Sequence, residues 1–252
     1  MKQVANKDAV LRIAGDEKWI NEADIALQTN ESDGYALEEA LRTVEAKGEG
    51  EVVVCTLGPQ SAKTVIKDAL ARGANRAIHI VVEDSRSLSA YQIASTIADA
   101  IRDEKPDLIF GGLQSDDASF GQTGVILAEL LGVPHATIVI EVDRESLGDK
   151  IRIKRELEGG WYQWFTYELP ALLTVQSGIS QIRYASLKGI MAAKSKEIRE
   201  VSPTVAAFPS ATKIEKVYMP LKTKQTQILG GGDAKKGAVE LVEKLKNEVR
   251  VI

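Results

Sequence analysis

The sequence predicts an α/β protein built on a doubly wound, mostly parallel sheet, with a β-hairpin and an extended carboxyl-terminal arm ending in a helix. Three observations carry this expectation. Helix and strand patterns alternate strictly over residues 1–142, the intervening strands are continuous apolar runs, and the pattern changes after Val142. Continuous apolar strands are buried on both faces, and helical crossovers are what join parallel neighbours.

The first helix is read from Tyr35 to Lys47, YALEEALRTVEAK. Ala36, Leu37, Ala40, Leu41 and Val44 fall on one face, and Glu38, Glu39, Arg42 and Lys47 on the other. EVVVCTL follows as a buried strand. Ser61 to Arg72, with Ala62, Val65, Ile66, Ala69 and Leu70 at helical spacing, leads to the strand AIHIVV. Ser89 to Asp103 stacks Ile93, Ile97 and Ile101 before DLIFGG, and Ser119 to Leu131 leads to ATIVIEV. In KIRIKRELEGGWYQWFTYELP the period becomes two, Ile151 and Ile153 share a side, and Gly159-Gly160 is expected as the two-residue turn of a hairpin. The apolar run from Ala171 to Gln176 is expected to return to the main sheet.

From Ser202 to Asp233 no period is sustained, and Pro203, Pro209 and Pro220 fall there. Val205, Phe208, Ile214, Val217, Tyr218, Met219 and Leu221 are too many apolar groups for a solvated linker, so an arm packed on another subunit is expected. After Gly230-Gly231-Gly232 comes a closing helix, Ala234 to Val249, with Val239, Val242, Leu245 and Val249 on one side. The expected division is an α/β nucleotide-binding domain over 1–201 and an arm with helix over 202–252.

Composition narrows the function. The chain has 252 residues, 44% apolar and 27% charged, with a formal charge of −4. The mild acidity and the lack of a basic run argue against nucleic-acid binding, which needs phosphate-neutralising cations. One Cys and two His support neither a disulfide framework nor an ordinary zinc cage. No apolar run reaches the roughly 18 residues of a membrane span, and MKQVANKDAVLRI has no secretory or transit character, so no membrane insertion and a cytoplasmic chain are expected.

The most informative segment is GGLQSDDASFGQTG, Gly111 to Gly124, at the carboxyl end of the strand DLIF. Ligands bind at that edge of doubly wound sheets, and free N–H groups at a helix start favour an anion. Ser115, Ser119 and Thr123 offer hydroxyls, Gly121 and Gly124 allow close backbone approach, and Asp116 and Asp117 suit a helix cap or a ribose hydroxyl. The segment is neither a Walker A sequence nor GxGxxG, and a capped polar loop accounts for it equally well. TLGPQSAK, Thr56 to Lys63, and TNESDG, Thr29 to Gly34, are expected at the same edge, where three loops together would form a nucleotide pocket.

Other candidates are weaker. Cys55 lies mid-strand as a small hydrophobe, while His79 and His135 lack a positioned nucleophile or paired carboxylates. Trp161, Tyr162, Trp164, Phe165 and Tyr167 form an aromatic hairpin suited to packing on the sheet or a partner. No residue set is equipped for acid–base or covalent catalysis unaided, so a catalytic site is not expected.

RELEGGWYQWFTYELPALLT, Arg155 to Thr174, resembles the signature of electron transfer flavoprotein β subunits, through its basic residue, Glu158-Gly159-Gly160, Gln163, Pro170 and Thr174. Phe165 stands where that signature prefers an aliphatic. IRYASLKGIMAAKSKEI, Ile182 to Ile198, is similar to the family's recognition loop, with Leu187 at the place of its anchoring leucine. Gln114, Asp117 and Gln122-Thr123-Gly124 resemble the AMP-binding segment, and NESDGYALEEAL matches at Asn30 and from Ala36 onward.

The resemblance implies a Rossmann-like fold of the adenine nucleotide α-hydrolase kind and an αβ heterodimer. It also implies an FAD held mostly by the α subunit and a structural AMP in the β subunit. The flavin would take electrons from dehydrogenases such as those acting on acyl-CoA and pass them toward a quinone oxidoreductase. By position, the nucleotide residues are Asn30, Glu31, Ser32, Asp33, Leu57, Asp117, Ala118, Ser119, Phe120, Gly121, Gln122, Thr123 and Gly124. The partner-binding residues are Arg183, Tyr184, Leu187, Ile190 and Met191, within a recognition loop of Arg183 to Lys194. The chemistry is the cofactor's, and the protein supplies position and electrostatics.

Three departures from the family pattern are visible. Family members open with an apolar strand before the Lys-x-Val that corresponds to Lys2-Gln3-Val4, so either the start is assigned a few codons late or the sheet lacks that strand and its backbone contact to AMP. Glu31 and Ser32 replace a Pro-aromatic pair, and Lys7 replaces an aromatic near the flavin. Gln122-Thr123-Gly124 is the AMP-binding version, whereas flavin-bifurcating members with a second FAD carry Gln-Val-Gly. A free-standing nucleotide-binding α/β protein is the alternative from another class, and it has little use for the arm or the recognition loop.

Overall fold

The computed structural model describes residues 1–23, 25–145, 147–203, 214–221 and 226–251. They form two units, Met1–Lys216 and Val217–Ile252.

The first unit contains a parallel α/β core. Strands β3 (Val53–Gly58), β4 (Arg76–Val81) and β10 (Ile198–Val201) form one parallel sheet in the order β10-β4-β3. A second sheet has the order β5-β9-β6-β7-β8. Here β5 (Leu108–Gly112), β9 (Ala171–Val175) and β6 (His135–Asp143) run parallel, and β7 (Lys150–Glu156) and β8 (Tyr162–Glu168) extend it antiparallel. The five principal helices are α1 (Glu31–Lys47), α2 (Lys63–Arg72), α3 (Ala90–Ile101), α4 (Thr123–Leu131) and α5 (Leu187–Ala193).

The strands alternate between two cores, which explains their unbroken hydrophobicity. Val52, Val54 and Ala77 pack with Leu37 and Leu41 of α1 and Ile66 and Leu70 of α2. Their neighbours Val53, Cys55, Ile78 and Ile80 turn to the opposite cluster with Ala94, Ala98 and Leu127 of α3 and α4. Along β9, Leu172 joins that second cluster while Leu173 and Val175 pack with Ile151 and Ile153. A sheet covered by helices on both faces has no polar side to display. Ala171–Val175, read as a strand returning to the main sheet, lies in the five-stranded sheet between β5 and β6.

Several boundaries differ from expectation. Helix α1 starts at Glu31 rather than Tyr35, because tertiary contacts satisfy the polar first turn. Helix α4 starts at Thr123 rather than Ser119, since Ser119 and Gly121 take φ of +53° and +62°. The hairpin connection is longer than two residues. The Leu157 N–H donates to the Trp161 carbonyl at 2.8 Å around Glu158-Gly159-Gly160, and both glycines have positive φ.

One continuous sheet is not formed. Among the described residues β3 pairs only with β4 and β5 only with β9, and their other edges face a cavity of about 940 Å³. Val53, Cys55 and Leu57 line it from one side and Leu108, Ile109 and Phe110 from the other. At this gap the Met1 amino group donates to the Cys55 carbonyl at 2.7 Å. From there the chain enters β1 (Gln3–Ala5), which pairs antiparallel with β2 (Leu27–Thr29).

The second unit contains α6 (Ala234–Lys244) and a further helical turn, Leu245–Val249. The Asp233 side chain caps α6 by accepting from the Lys235 and Lys236 N–H groups. Tyr218, Met219, Leu221, Val239, Val242 and Val249 are exposed here. Val205, Phe208 and Pro209 of the expected arm lie outside the described residues. No helix among the described residues is long and apolar enough to cross a membrane.

Candidate functional site

The carboxyl edge of β5 is tied to the start of α1 by a compact hydrogen-bonded knot. The buried Asn30 amide donates to the Ser32 hydroxyl at 3.0 Å and to the Gln114 carbonyl at 3.1 Å, and its oxygen accepts from the Asp116 N–H at 2.8 Å. Ser32 Oγ also donates to the Gln114 carbonyl, at 2.7 Å, and the Glu31 N–H donates to Asp116 at 3.1 Å. Asp33 bridges two segments by accepting from the Gly112 N–H at 3.0 Å and the Lys2 N–H at 2.8 Å. Gly112 is required at this approach, for a Cβ there would stand 2.3 Å from Ser32 Oγ.

The loop beyond Gln114 forms the rim of the cavity. Lys2 Nζ donates to Asp117 at 2.6 Å and to Ser115 Oγ at 3.2 Å. Burial pushes the Asp117 carboxyl up, but the Lys2 hydrogen bond and charge, with Ser115 and the Ala118 N–H, more than reverse this and hold it below its ordinary value. Asp117 is therefore a neutralised carboxylate rather than a bare negative charge facing a ligand. Asn30, Asp33, Leu57, Asp117, Ala118, Phe120, Gly121, Gln122, Thr123 and Gly124 all line the cavity. Glu31, Ser32 and Ser119 do not: Ser32 is buried in the knot, and Ser119 turns back to donate to the Ser115 carbonyl at 3.0 Å.

Helix α4 opens onto this rim without a side-chain cap at Gln122. Its first N–H groups and its dipole thus favour an anion, and Gly124 lets the helix lie against the sheet. A Cβ at Gly124 would stand 2.5 Å from Thr174 Cγ2.

A second surface lies on α5. The Ser186 hydroxyl caps it by accepting from the Gly189 N–H at 3.0 Å. Tyr184, three residues before the helix, and Leu187 are 94% and 84% exposed, and Ile190 and Met191, also exposed, share the Leu187 side of the capped helix. Arg183, grouped with these residues by the resemblance, turns its guanidinium away from them to Glu38 and Glu45 of α1. On the hairpin, Trp161, Tyr162 and Trp164 are exposed, and Arg152 lies 4.5 Å over the Trp164 ring. Phe165 and Tyr167 pack inward.

The family model described as the electron transfer flavoprotein domain matches residues 18–206. The chain belongs to the electron transfer flavoprotein family. It is 34% identical to the electron transfer flavoprotein subunit beta of Methylophilus methylotrophus, over 91% of this chain and 90% of that protein. It is 34% identical to the mitochondrial subunit beta of Oryza sativa subsp. indica, over 100% of this chain and 98% of that protein. The human subunit beta is 30% identical, over 100% of this chain and 96% of that protein.

Burial pushes the Cys55 thiol up to about 11, so its thiolate is scarce at neutral pH. His79 is buried with Nε2 3.2 Å from the Gly58 carbonyl, and no group of three or more His, Cys, Asp or Glu among the described residues could hold a metal. The rim fits a nucleoside monophosphate, with an uncapped helix start for phosphate, polar loop groups for the sugar and apolar wall residues such as Leu57. Sequence reasoning reached these loops but not Lys2, whose ammonium neutralises Asp117 from 115 residues away.

Proposed function

We propose that this chain is the β subunit of a heterodimeric electron transfer flavoprotein that carries electrons from flavin dehydrogenases, such as those acting on acyl-CoA, to an acceptor such as a quinone oxidoreductase. The FAD supplies reversible electron uptake and is held mostly by the α subunit, while this subunit holds AMP as a structural ligand. The observation that carries the reading is the rim where the uncapped start of α4 meets the Asn30–Gln114 knot.

In this reading Gln122, Thr123 and Gly124 present backbone N–H groups to the AMP phosphate, and Lys2 keeps Asp117 from repelling it. Asn30 and Ser32 act one step back, holding the loop in place. The exposed apolar residues of the second unit contact the α subunit. The α5 face is the dehydrogenase contact.

The test is to co-express the chain with its α subunit and reduce the purified complex with an acyl-CoA dehydrogenase and its substrate. A stable flavin-bearing complex that is reduced supports the proposal. Failure to form any flavin-bearing complex contradicts it and favours the free-standing nucleotide-binding alternative. Leu187→Ala should weaken dehydrogenase docking by roughly 1–3 kcal/mol, the worth of a buried aliphatic anchor, with FAD content and folding unchanged.

A further inference from the structure

We propose that Arg183 is a positioning residue that clamps the segment leading into the docking helix α5 onto α1, so that the exposed apolar face of α5 meets a partner already ordered. The proposal rests on the docking reading of α5 given above.

Glu38 and Glu45 stand two turns apart on one face of α1, and the guanidinium spans both. Arg183 Nε donates to Glu38 Oε2 at 2.9 Å and Nη2 to Glu38 Oε1 at 3.0 Å. The second carboxylate receives Nη1 at 2.5 Å and Nη2 at 2.9 Å. The Arg183 backbone N–H adds a fifth bond to Glu38 at 3.1 Å. Glu38 is buried, and a buried carboxylate needs such a partner. A planar fork can serve two carboxylates at once, and a lysine ammonium lacks that geometry.

The same segment is held at three further places that do not depend on charge pairing. Ile182 Cδ1 lies 3.3 Å from where a Cβ of Gly34 would stand, so this part of the segment lies directly on the first turn of α1. Gly189 brings α5 so close to α2 that a Cβ would stand 2.1 Å from the Ala71 carbonyl. Lys196 Nζ then donates to the Leu70 and Ala74 carbonyls, at 2.9 and 2.5 Å, at the end of α2. Arg183 is the anchor on the N-terminal side, one residue before Tyr184 and four before Leu187. None of its donors serves the exposed face, so its effect on docking runs through the helix it holds. A segment ordered before contact does not lose its freedom on binding, which favours affinity over turnover.

The experiment combines backbone hydrogen exchange on the full chain with steady-state reduction of the αβ complex by an acyl-CoA dehydrogenase. Arg183→Lys, which keeps the charge and loses the fork, should speed exchange in residues 183–194. It should raise the KM for the dehydrogenase about tenfold with kcat within about twofold. Glu45→Gln should do the same to a smaller degree without stranding the buried Glu38. Leu187→Ala should raise KM with exchange unchanged. Unchanged exchange in both Arg183→Lys and Glu45→Gln overturns the clamp. Faster exchange with KM unchanged, while Leu187→Ala still raises KM, overturns the positioning role alone. If Leu187→Ala also leaves KM unchanged, the docking reading fails and the proposal with it.

Discussion

Glu39 is fully buried on α1 and ion-paired with Arg144, which reaches it from the segment after β6. Without Arg144 the buried carboxylate keeps only the longer pair with Arg42, at 3.9 Å, so Arg144→Ala should cost about 3 kcal/mol in urea denaturation, against far less for a surface Lys150→Ala. Gly124→Ala should cost about 1–3 kcal/mol by overpacking against Thr174 Cγ2, and adding Thr174→Ser, which deletes that methyl, should recover most of it. The Asp117 carboxyl is held low in the folded chain, so its contribution is present above the ordinary carboxylate range and lost as pH falls below it. Asp117→Asn should flatten that part of an acid-denaturation curve, and an unchanged curve would remove the Lys2 pairing from the account. At this scale the sequence marked residue types well and partners poorly. Asn30 stood out within its loop, but its bonds run to Gln114 and Asp116, more than 80 positions on, and no local pattern encodes them.

Helix identities were legible wherever an apolar face was repeated, as in α2 and α3, and α3 begins at Ala90, one residue after the Ser89 expected to start it, which caps it in a capping box with Gln92. Ends were legible less often, because α1 begins in a polar turn stabilised by the Gln114–Asp116 loop and α4 begins after two residues with positive φ. Helix α5 has only seven residues and leans on its cap. Ser186→Ala should therefore fray it, at a local cost of about 1 kcal/mol. The expected reading is faster exchange confined to residues 187–193, and a fall spread across the sheet would show that the helix is integral to the core.

The two half-sheets are the feature that strand patterns do not predict. Each strand carries the composition of a buried neighbour, yet whether β3 meets β5 depends on what stands between them, a non-local matter. The cavity that results joins this apolar gap to the polar rim, so the nucleotide reading and the sheet architecture concern one continuous space. Family membership was legible through a different route, a signature spread over Arg155 to Thr174 and Ile182 to Ile198, within the region that the family model matches. The central claim is most directly tested by co-purifying the chain with its α subunit, denaturing the complex and identifying the released nucleotides. One FAD and one AMP per heterodimer is the predicted result; two FAD, or no adenine nucleotide beyond the FAD, would contradict it.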